Sequence, residues 1–314
     1  MKGLRRGINL GGWMSQCDYS KERLDTFITE EDYKKIASWG LDHVRLHIDY
    51  NVLQNEDMSM KPEGFERVER AVKLALDNGL GIVLDIHKTL GYSFDKQVAE
   101  SGFFDNEKYQ ENFYSLWEEM AKRFGGDPEH VWLELLNEVT DEEYLKPWNR
   151  IWKTCVQRIR AYAPESKILI GSYDYNAVST VQYLDPPADK NMIYNFHCYE
   201  PFKFTHQGAY WAADMLDMEA RYSYADMDLA ADYYDKMFAS AIEKAKKEGI
   251  SLYCGEYGAI DVASPEDTLA FYKGINAAFE KYGIGRAAWS YKQMDFGIVD
   301  ARMDGVRDEL VKYL

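Results

Sequence analysis

Val131-Trp-Leu-Glu-Leu-Leu-Asn-Glu138 and Ser251-Leu-Tyr-Cys-Gly-Glu256 are the two stretches that decide the fold of this 314-residue chain. Each is a short, mainly apolar run with aromatic or branched side chains, and each ends in a glutamate. Such a run, bounded by turn signals, predicts a strand of a parallel sheet that is buried on both faces. A carboxylate at the carboxyl end of a barrel strand is placed for chemistry rather than for packing.

Strand-like and helix-like segments alternate along the rest of the chain. The predicted strands are Leu4–Leu10, Leu41–Leu46, Gly81–His87, His130–Asn137, Lys167–Gly171, Met192–His197, Ser251–Glu256 and Gly285–Tyr291. The predicted helices are Glu30–Ser38, Gly64–Asn78, Tyr109–Phe124, Trp148–Ala163, a short stretch over Asn176–Gln182, Ala231–Glu248, Pro265–Tyr282 and Gly305–Lys312. Eight such units close into a parallel barrel, so the predicted fold is α/β, a (β/α)8 TIM barrel forming one catalytic domain over residues 1–314.

The connection after the sixth predicted strand, residues 201–229, is too long for an ordinary loop. It carries several aromatic side chains and then a stretch rich in Met, Asp and Tyr. Loops that follow barrel strands border the mouth where ligands bind. The sequence therefore predicts a small, partly helical subdomain inserted over the active-site face, forming one wall of a substrate groove.

Charge and composition limit the classes of partner. The net charge of −16 excludes nucleic acid as an expected partner, because no basic stripe could offset repulsion from phosphates. A neutral ligand fits better. The aromatic content of 15% is as compatible with a large core as with a site that stacks on the flat faces of sugar rings.

The sequence carries no clear targeting signal and no paired-cysteine motif. No run approaches the roughly 18 apolar residues of a membrane span, so no membrane association is expected. The amino-terminal segment lacks the apolar region of a secretory signal. A cytoplasmic location is favoured for the chain as given, and a secreted one if the sequence is that of a trimmed mature protein. The four cysteines form no C-x-x-C pair and are expected to be reduced, mostly buried thiols.

Side-chain alternation predicts which residues face the barrel interior near its mouth. The predicted inward faces are Glu134, Leu136 and Glu138 on strand four, Asn195, His197 and Tyr199 on strand six, and Leu252, Cys254 and Glu256 on strand seven. A charge at Glu134 would be buried, and an unpaired buried charge costs several kcal/mol. We therefore expect Glu134 to pair with Arg45 or His43.

Polar and aromatic side chains converge at the predicted mouth. They are Arg45, His87, Glu138, His197, Tyr199, Glu256 and Trp289. Two carboxylates on different strands are what hydrolysis of a glycosidic bond needs, one as acid and base and the other as nucleophile. An open groove lined by Trp13, Tyr92, Trp211 and Trp289 is expected to hold the sugar chain.

A set of motifs makes this pattern specific. They occur in the order Arg6-Gly-Ile-Asn-Leu-Gly-Gly-Trp13, His43-Val-Arg-Leu46, Leu84-Asp-Ile-His87, Leu135-Leu-Asn-Glu138, Tyr194-Asn-Phe-His-Cys-Tyr199, Tyr253-Cys-Gly-Glu-Tyr-Gly258 and Ala288-Trp-Ser-Tyr291. Together they resemble the family 5 glycoside hydrolases of clan A, retaining barrel enzymes with catalytic glutamates on strands four and seven. Within that family the chain looks most like compact clostridial-type endo-β-glucanases, which share Phe204-Thr-His-Gln207.

The resemblance implies roles for the matching residues. Glu138 would be the acid/base and Glu256 the nucleophile, with their carboxyl groups about 5–5.5 Å apart. The implied substrate-binding residues are Asn137 at the sugar 2-hydroxyl, Arg45 and Tyr199 around Glu256, His197 beside Glu138, His87 at the −1 subsite and Trp289 stacked beneath it. No metal and no organic cofactor is implied. Taken by itself, His47 is expected to be a structural group. Lys88 and His47 depart from the residues usual in the family, and by the resemblance both border the glycone subsites.

The implied function is endo-acting hydrolysis of β-1,4 linkages in soluble β-glucans, either cellulose-derived or mixed β-1,3/1,4-linked. The expected partner is a β-glucan polysaccharide or oligosaccharide, and the expected oligomeric state is a monomer. A β-mannanase, a xylan-type hydrolase and an exo-β-1,3-glucanase remain alternatives on the same scaffold. A non-catalytic carbohydrate-binding barrel is the alternative from another class.

Overall fold

Eight parallel strands pair in chain order and close into a barrel in the computed structural model, which describes residues 3–212, 215 and 221–314. The strands are β1 (Arg6–Asn9), β2 (His43–Asp49), β3 (Gly81–Lys88), β4 (Val131–Glu134), β5 (Ile168–Ile170), β6 (Met192–His197), β7 (Ser251–Glu256) and β8 (Gly285–Ala288). The predicted (β/α)8 TIM-barrel fold is therefore confirmed.

Helices connect and surround the strands. The α-helical segments are α1 (Lys21–Thr26), α2 (Glu30–Ser38), α3 (Tyr50–Leu53), α4 (Pro62–Asp77), α5 (Glu107–Phe124), α6 (Leu145–Arg160), α7 (Tyr173–Asn176), α8 (Phe202–Thr205), α9 (Tyr233–Glu248), α10 (Pro265–Tyr282) and α11 (Arg307–Leu310). Short 3-10 segments are Glu142–Tyr144, Val178–Tyr183, Ala225–Met227, Ala301–Met303 and Val311–Tyr313. Side-chain caps mark the starts of two of the long helices, α5 and α10. For example, the Ser264 hydroxyl accepts a 3.1 Å hydrogen bond from the Asp267 amide before α10.

Some predicted boundaries are wrong. Strand four was expected to reach Asn137, but β4 ends at Glu134, and the following residues stay buried in a loop. The apolar pattern continues past the strand because this loop packs into the core: Leu135 is fully buried and its amide donates to the Leu169 carbonyl at 3.2 Å. The expected helix over Asn176–Gln182 is instead a short α7 turn followed by a 3-10 segment.

The barrel interior changes from apolar to polar along its axis. Its apolar layer consists of Leu4, Val83, Trp132, Leu169, Ile193, Tyr253 and Ala287. On β3 the inward positions run from Val83 to Asp85 and then His87, so the side chains become polar toward the carboxyl ends of the strands. The alternate residues Leu84 and Ile86 pack in the separate core cluster between sheet and helices.

The predicted inward face of strand seven is wrong for Leu252 and Cys254 and correct for Glu256. Leu252 and Cys254 pack in the outer cluster, whereas Tyr253 lies in the inner layer. Simple alternation would then turn Glu256 outward, toward the helices. Glu256 nevertheless contacts Arg45 inside the barrel, so the alternation must break between residues 254 and 256.

A β-bulge at Gly255 produces this break. Phe196 pairs with Cys254, but the next residue of β6, His197, pairs with Glu256. Gly255 is the extra residue, and an extra residue in one strand reverses the faces of those that follow. The bulge therefore directs the Glu256 carboxylate into the barrel mouth.

The long connection after β6 contains helix α8 and the 3-10 segment Ala225–Met227 among its described residues. Gln207 joins its two described parts, because its amide oxygen accepts a 2.8 Å hydrogen bond from the Tyr222 amide. Residues 213, 214 and 216–220 of the predicted insertion lie outside the described residues. The division into one catalytic domain with an inserted subdomain over 201–229 stays a prediction.

Two further expectations concern the chain as a whole. Among the helices described, none has the length and apolarity needed to cross a bilayer. All four cysteines are free thiols, and Cys155, Cys198 and Cys254 are buried. The expectation of reduced, mostly buried cysteines is confirmed.

Candidate active site

Glu138 and Glu256 face each other at the barrel mouth. One carboxylate oxygen of each and one ring nitrogen of His197 all lie within 4.8 Å of one another. Glu138 is 8% exposed and Glu256 is 5% exposed. His197 lies between them, with Nδ1 at 2.7 Å from Oε1 of Glu138 and at 3.7 Å from Oε2 of Glu256. The predicted convergence of strands four, six and seven on one site is confirmed.

Both oxygens of Glu256 have donors. Nη1 of Arg45 donates to Oε1 at 2.7 Å, and the hydroxyl of Tyr199 donates to Oε2 at 2.8 Å. One of these bonds carries a full positive charge, and charge-assisted hydrogen bonds are among the stronger ones in proteins. The two donors fix the plane of the Glu256 carboxylate and offset the cost of burying its charge.

Glu138 has a different environment. Burial raises its pKa well above the usual range for a carboxyl group, the nearby Glu256 charge raises it further, and Arg45 only partly opposes both. Burial, together with the Arg45 charge, lowers the pKa of His197 well below its usual range. Glu138 therefore favours its protonated form beside a neutral imidazole.

Arg45 is the charge centre of the site and has no exposed surface. It forms a bidentate pair with Glu134, with Nε and Nη2 each 2.7 Å from a carboxylate oxygen. Of the two predicted partners of Glu134, Arg45 is therefore the correct one. Nη2 also lies 3.1 Å from Asp85. Burial raises the pKa of Asp85 to about 8 and that of Glu134 to about 7, although Arg45 lowers both. Arg45 itself stays charged, because the surrounding carboxylates outweigh the effect of burial.

Asn137 lies beside the carboxylates. Its side-chain oxygen accepts a 3.0 Å hydrogen bond from Nη2 of Arg45, which orients the amide. Its buried Nδ2 has no hydrogen-bond partner within the described part of the chain. A buried donor without a protein partner is available to a ligand hydroxyl.

His87 and Trp289 form the floor of the site. Their rings lie parallel, with an interplanar angle of 4° and centroids 6.3 Å apart. Nδ1 of His87 lies 2.6 Å from Oδ2 of Asp85, which fixes the orientation of the imidazole. Burial lowers the pKa of His87 to about 4, so this ring is neutral at pH 7.

Two further residues lie in the site but were not among the predicted site residues. His47 was expected to be structural, yet its Nε2 lies 2.8 Å from Nη1 of Arg45, and its ring lies 5.0 Å from that of Trp289. Asn9 was not considered, yet its side-chain oxygen accepts a 3.1 Å hydrogen bond from Arg45. Asn9 is the last residue of β1. At the other strands, polar side chains near the carboxyl end were taken as site candidates, and the same criterion would have identified Asn9.

The expected aromatic groove is only partly correct. Trp13 is 1% exposed, and its Nε1 donates to the Leu24 carbonyl, so it belongs to the core. Tyr92 is also buried, and its hydroxyl donates to the Glu138 carbonyl at 2.6 Å. Trp211, on the connection after β6, is 39% exposed. Tyr92 therefore holds the backbone of Glu138, and of the four predicted groove residues only Trp211 is more than one-third exposed.

Metal binding is geometrically possible at two overlapping triads. Ligand atoms of Glu138, His197 and Glu256 lie within 4.8 Å of one another, and so do those of His47, His87 and Glu256. Both triads include Glu256, and the first also includes Glu138. Hydrolysis by a carboxylate pair needs no metal.

Similarity to known proteins agrees with this geometry. The sequence model of the family described as cellulase (glycosyl hydrolase family 5) matches residues 6–295. Cellodextrinase A of Ruminococcus flavefaciens is 55% identical over 285 residues, covering 91% of this chain and 84% of that protein. Endoglucanase C of Acetivibrio thermocellus is 35% identical over 340 aligned positions, covering 100% of this chain and 98% of that protein.

Solved structures give the same result. Cel5A of Thermotoga maritima in complex with cellobiose superposes with a TM-score of 0.83 at 26% identity, covering 99% of this chain and 97% of that one. A structure of the same protein in complex with mannotriose superposes with the same TM-score, identity and coverage. Since the family model spans nearly the whole length and a relative is identical at more than half of the aligned positions, the chain belongs to the cellulase family, glycosyl hydrolase family 5, and is a glycoside hydrolase.

Proposed function

We propose that this enzyme hydrolyses internal β-1,4 linkages of soluble β-glucans by double displacement, with net retention at the anomeric carbon. The observation that carries the proposal is the pair of buried carboxylates with oxygens within 4.8 Å of each other. Retaining glycosidases hold their carboxyl groups at about 5–5.5 Å, whereas inverting enzymes need about 6.5–9.5 Å to admit a water. The close spacing favours the retaining reaction.

The first step forms a glycosyl-enzyme. Glu138, in its acid form, donates its proton to the glycosidic oxygen while an oxygen of Glu256 bonds to the anomeric carbon. The bond between that carbon and the leaving sugar breaks. The raised pKa of Glu138 supports the acid role, because the proton must be present near neutral pH. Arg45 and Tyr199 orient the attacking carboxylate.

The second step hydrolyses this intermediate. Glu138, now ionised, takes a proton from a water molecule, and the water oxygen bonds to the anomeric carbon as the bond to Glu256 breaks. Asn137 would bind the sugar 2-hydroxyl through its free Nδ2, while His87 and Trp289 would hold the sugar in the −1 subsite. Each step inverts the anomeric carbon once, so the configuration is retained overall.

A glucan is the favoured substrate. The names of the relatives, cellodextrinase and endoglucanase, support β-1,4-linked glucose, and the net charge of −16 favours a neutral chain. We extend the proposal to mixed β-1,3/1,4-glucan and to a monomeric enzyme. Short cellodextrins are a second candidate because of the 55% identical cellodextrinase, and mannan is a third because the similar Cel5A was solved with mannotriose.

Product analysis on a panel of polysaccharides tests the proposal. The panel holds barley β-glucan, hydroxyethylcellulose, galactomannan, xylan and laminarin, with cellotriose to cellopentaose beside it. We expect the viscosity of barley β-glucan to fall before much reducing sugar appears, and proton NMR to show β-anomers first. Monosaccharide release at constant viscosity would contradict endo action. Faster cleavage of mannan would move the assignment to the third candidate, and cleavage of oligomers alone to the second.

A further inference from the structure

We propose that Glu134, which does not contact the proposed reacting atoms, is a positioning residue for Glu256, acting through Arg45 and through the backbone bulge at Gly255. This inference rests on the proposed function, in which Glu256 is the nucleophile. The positioning has two parts. One fixes the carboxylate of Glu256, and the other fixes the peptide group directly before it.

The first part is the side-chain contact through Arg45. The guanidinium binds Glu134 along one edge, with Nε and Nη2 each 2.7 Å from a Glu134 oxygen. This bidentate pairing sets the plane of the guanidinium and leaves Nη1 to reach Oε1 of Glu256 at 2.7 Å. Without Glu134, the guanidinium would lose its bidentate partner, and the orientation of Nη1 toward the nucleophile would depend on single contacts such as those with Asn9 and Asn137.

The second part is the bulge. An extra residue in a strand loses its place in the ladder, so its N–H and C=O need other partners. The Gly255 amide donates to Oδ1 of Asn195 at 2.9 Å, and Nδ2 of Asn9 donates to the Gly255 carbonyl at 2.9 Å. Two asparagine side chains therefore hold the peptide unit that turns Glu256 inward.

Glu134 determines the orientation of Asn195. Oε1 of Glu134 accepts a 2.8 Å hydrogen bond from Nδ2 of Asn195, which leaves Oδ1 facing the Gly255 amide. The opposite amide orientation would place two donors against each other. A Cβ on Gly255 would lie 2.7 Å from Oδ1 of Asn195, so the contact is close and allows little displacement. Glu134 thus fixes both the carboxylate and the backbone of the nucleophile.

Glu134→Gln is the test substitution because it keeps the shape of the side chain. It replaces one acceptor oxygen with a donor, so Arg45 loses one of its two bonds to this side chain in either amide orientation, and Asn195 loses its acceptor in one of them. We expect kcat/KM on 2,4-dinitrophenyl β-cellobioside to fall roughly 10²-fold, the size of effect that a small misplacement of a reacting group produces. Lowered stability could also reduce activity, so this loss needs a second readout.

A double-mutant cycle with Glu256→Ala supplies that readout. In Glu256→Ala, azide replaces the nucleophile, and there is no carboxylate left to position. If Glu134 acts through Glu256, adding Glu134→Gln to Glu256→Ala should change the azide-dependent rate by no more than a few-fold. An equal, roughly 10²-fold loss in both backgrounds would overturn the proposal and indicate a general structural role.

If the proposed function itself is wrong, the experiment gives a result that differs from the failure of the positioning role alone. If azide does not restore activity to Glu256→Ala, the nucleophile assignment is wrong, and the positioning role falls with it. Should Glu134→Gln not fold, Asn195→Ala takes its place in the same cycle, because it removes the acceptor for the Gly255 amide. Glu280→Gln is the matched control: it removes a carboxylate 2.7 Å from the buried Arg286 on β8 and should leave kcat/KM unchanged.

Discussion

His197 and Glu138 are joined by a 2.7 Å hydrogen bond between Nδ1 and Oε1, and burial favours the uncharged form of both groups. Nε2 of His197 is buried and has no partner among the described residues. The imidazole therefore gives Glu138 a polar contact without supplying a positive charge that would ionise it. This environment differs from that of Glu256, which two donors hold, and the difference supports the opposite roles proposed for the two carboxylates.

The pH dependence follows from this assignment. Glu138 must carry a proton in the first step, and its pKa is raised, so activity should persist to higher pH than an ordinary glutamate would allow. As pH rises through the pKa of Glu138, the acid loses its proton and kcat/KM should fall. We expect this alkaline limb to lie well above the usual glutamate pKa of about 4.3. The pH profile of kcat/KM on cellotetraose measures it. A limb near that value would contradict the acid role.

Glu138→Gln should affect substrates according to their leaving groups. Loss of the acid should lower kcat/KM by roughly 10²- to 10⁴-fold on cellotetraose, whose leaving sugar needs protonation. On 2,4-dinitrophenyl β-cellobioside, whose leaving group departs without a proton, the first step should change far less. Steady-state and burst kinetics on both substrates measure this. Equal losses at the first step would count against the assignment.

The sequence predicted those parts of the fold and site that depend on local pattern. The eight strands, their order and the convergence of Glu138, His197 and Glu256 follow from short buried runs that end in polar residues. Glu134 was expected to pair with Arg45 or His43 because burying an unpaired charge is expensive, and it pairs with Arg45. These features depend on periodicity and charge, which a single sequence contains.

Features that depend on contacts between distant segments could not be predicted in the same way. The face of Glu256 depends on a bulge that exists only in the pairing of β7 with β6. Trp13 and Tyr92 were placed in the groove because a buried aromatic near a strand end looks the same in sequence as an exposed one. His47 appeared structural because its position next to Arg45 and Trp289 is a property of the closed barrel.

Glu256→Ala should lower turnover by several orders of magnitude while the fold is kept. With 2,4-dinitrophenyl β-cellobioside, azide should restore part of the activity, because the small anion occupies the space of the missing carboxylate. It attacks from the face opposite the leaving group, so the product should be an α-glycosyl azide, identified by NMR. Near-normal activity without azide, or a β-azide product, would show that Glu256 is not the nucleophile.

Tyr199→Phe tests the second donor to Glu256. The substitution removes the 2.8 Å hydrogen bond to Oε2, while the ring keeps its contact with His206, whose centroid lies 4.9 Å away. A hydrogen bond to a charged group contributes about 1.5–3 kcal/mol, so kcat/KM should fall roughly 10- to 100-fold. Tyr224→Phe is the matched control, because its hydroxyl lies outside the site, 3.3 Å from the hydroxyl of Tyr234. Stopped-flow measurement of the first step should show the loss in Tyr199→Phe alone. Equal losses in both variants would mean that the tyrosine hydroxyls act on the fold and not on the nucleophile.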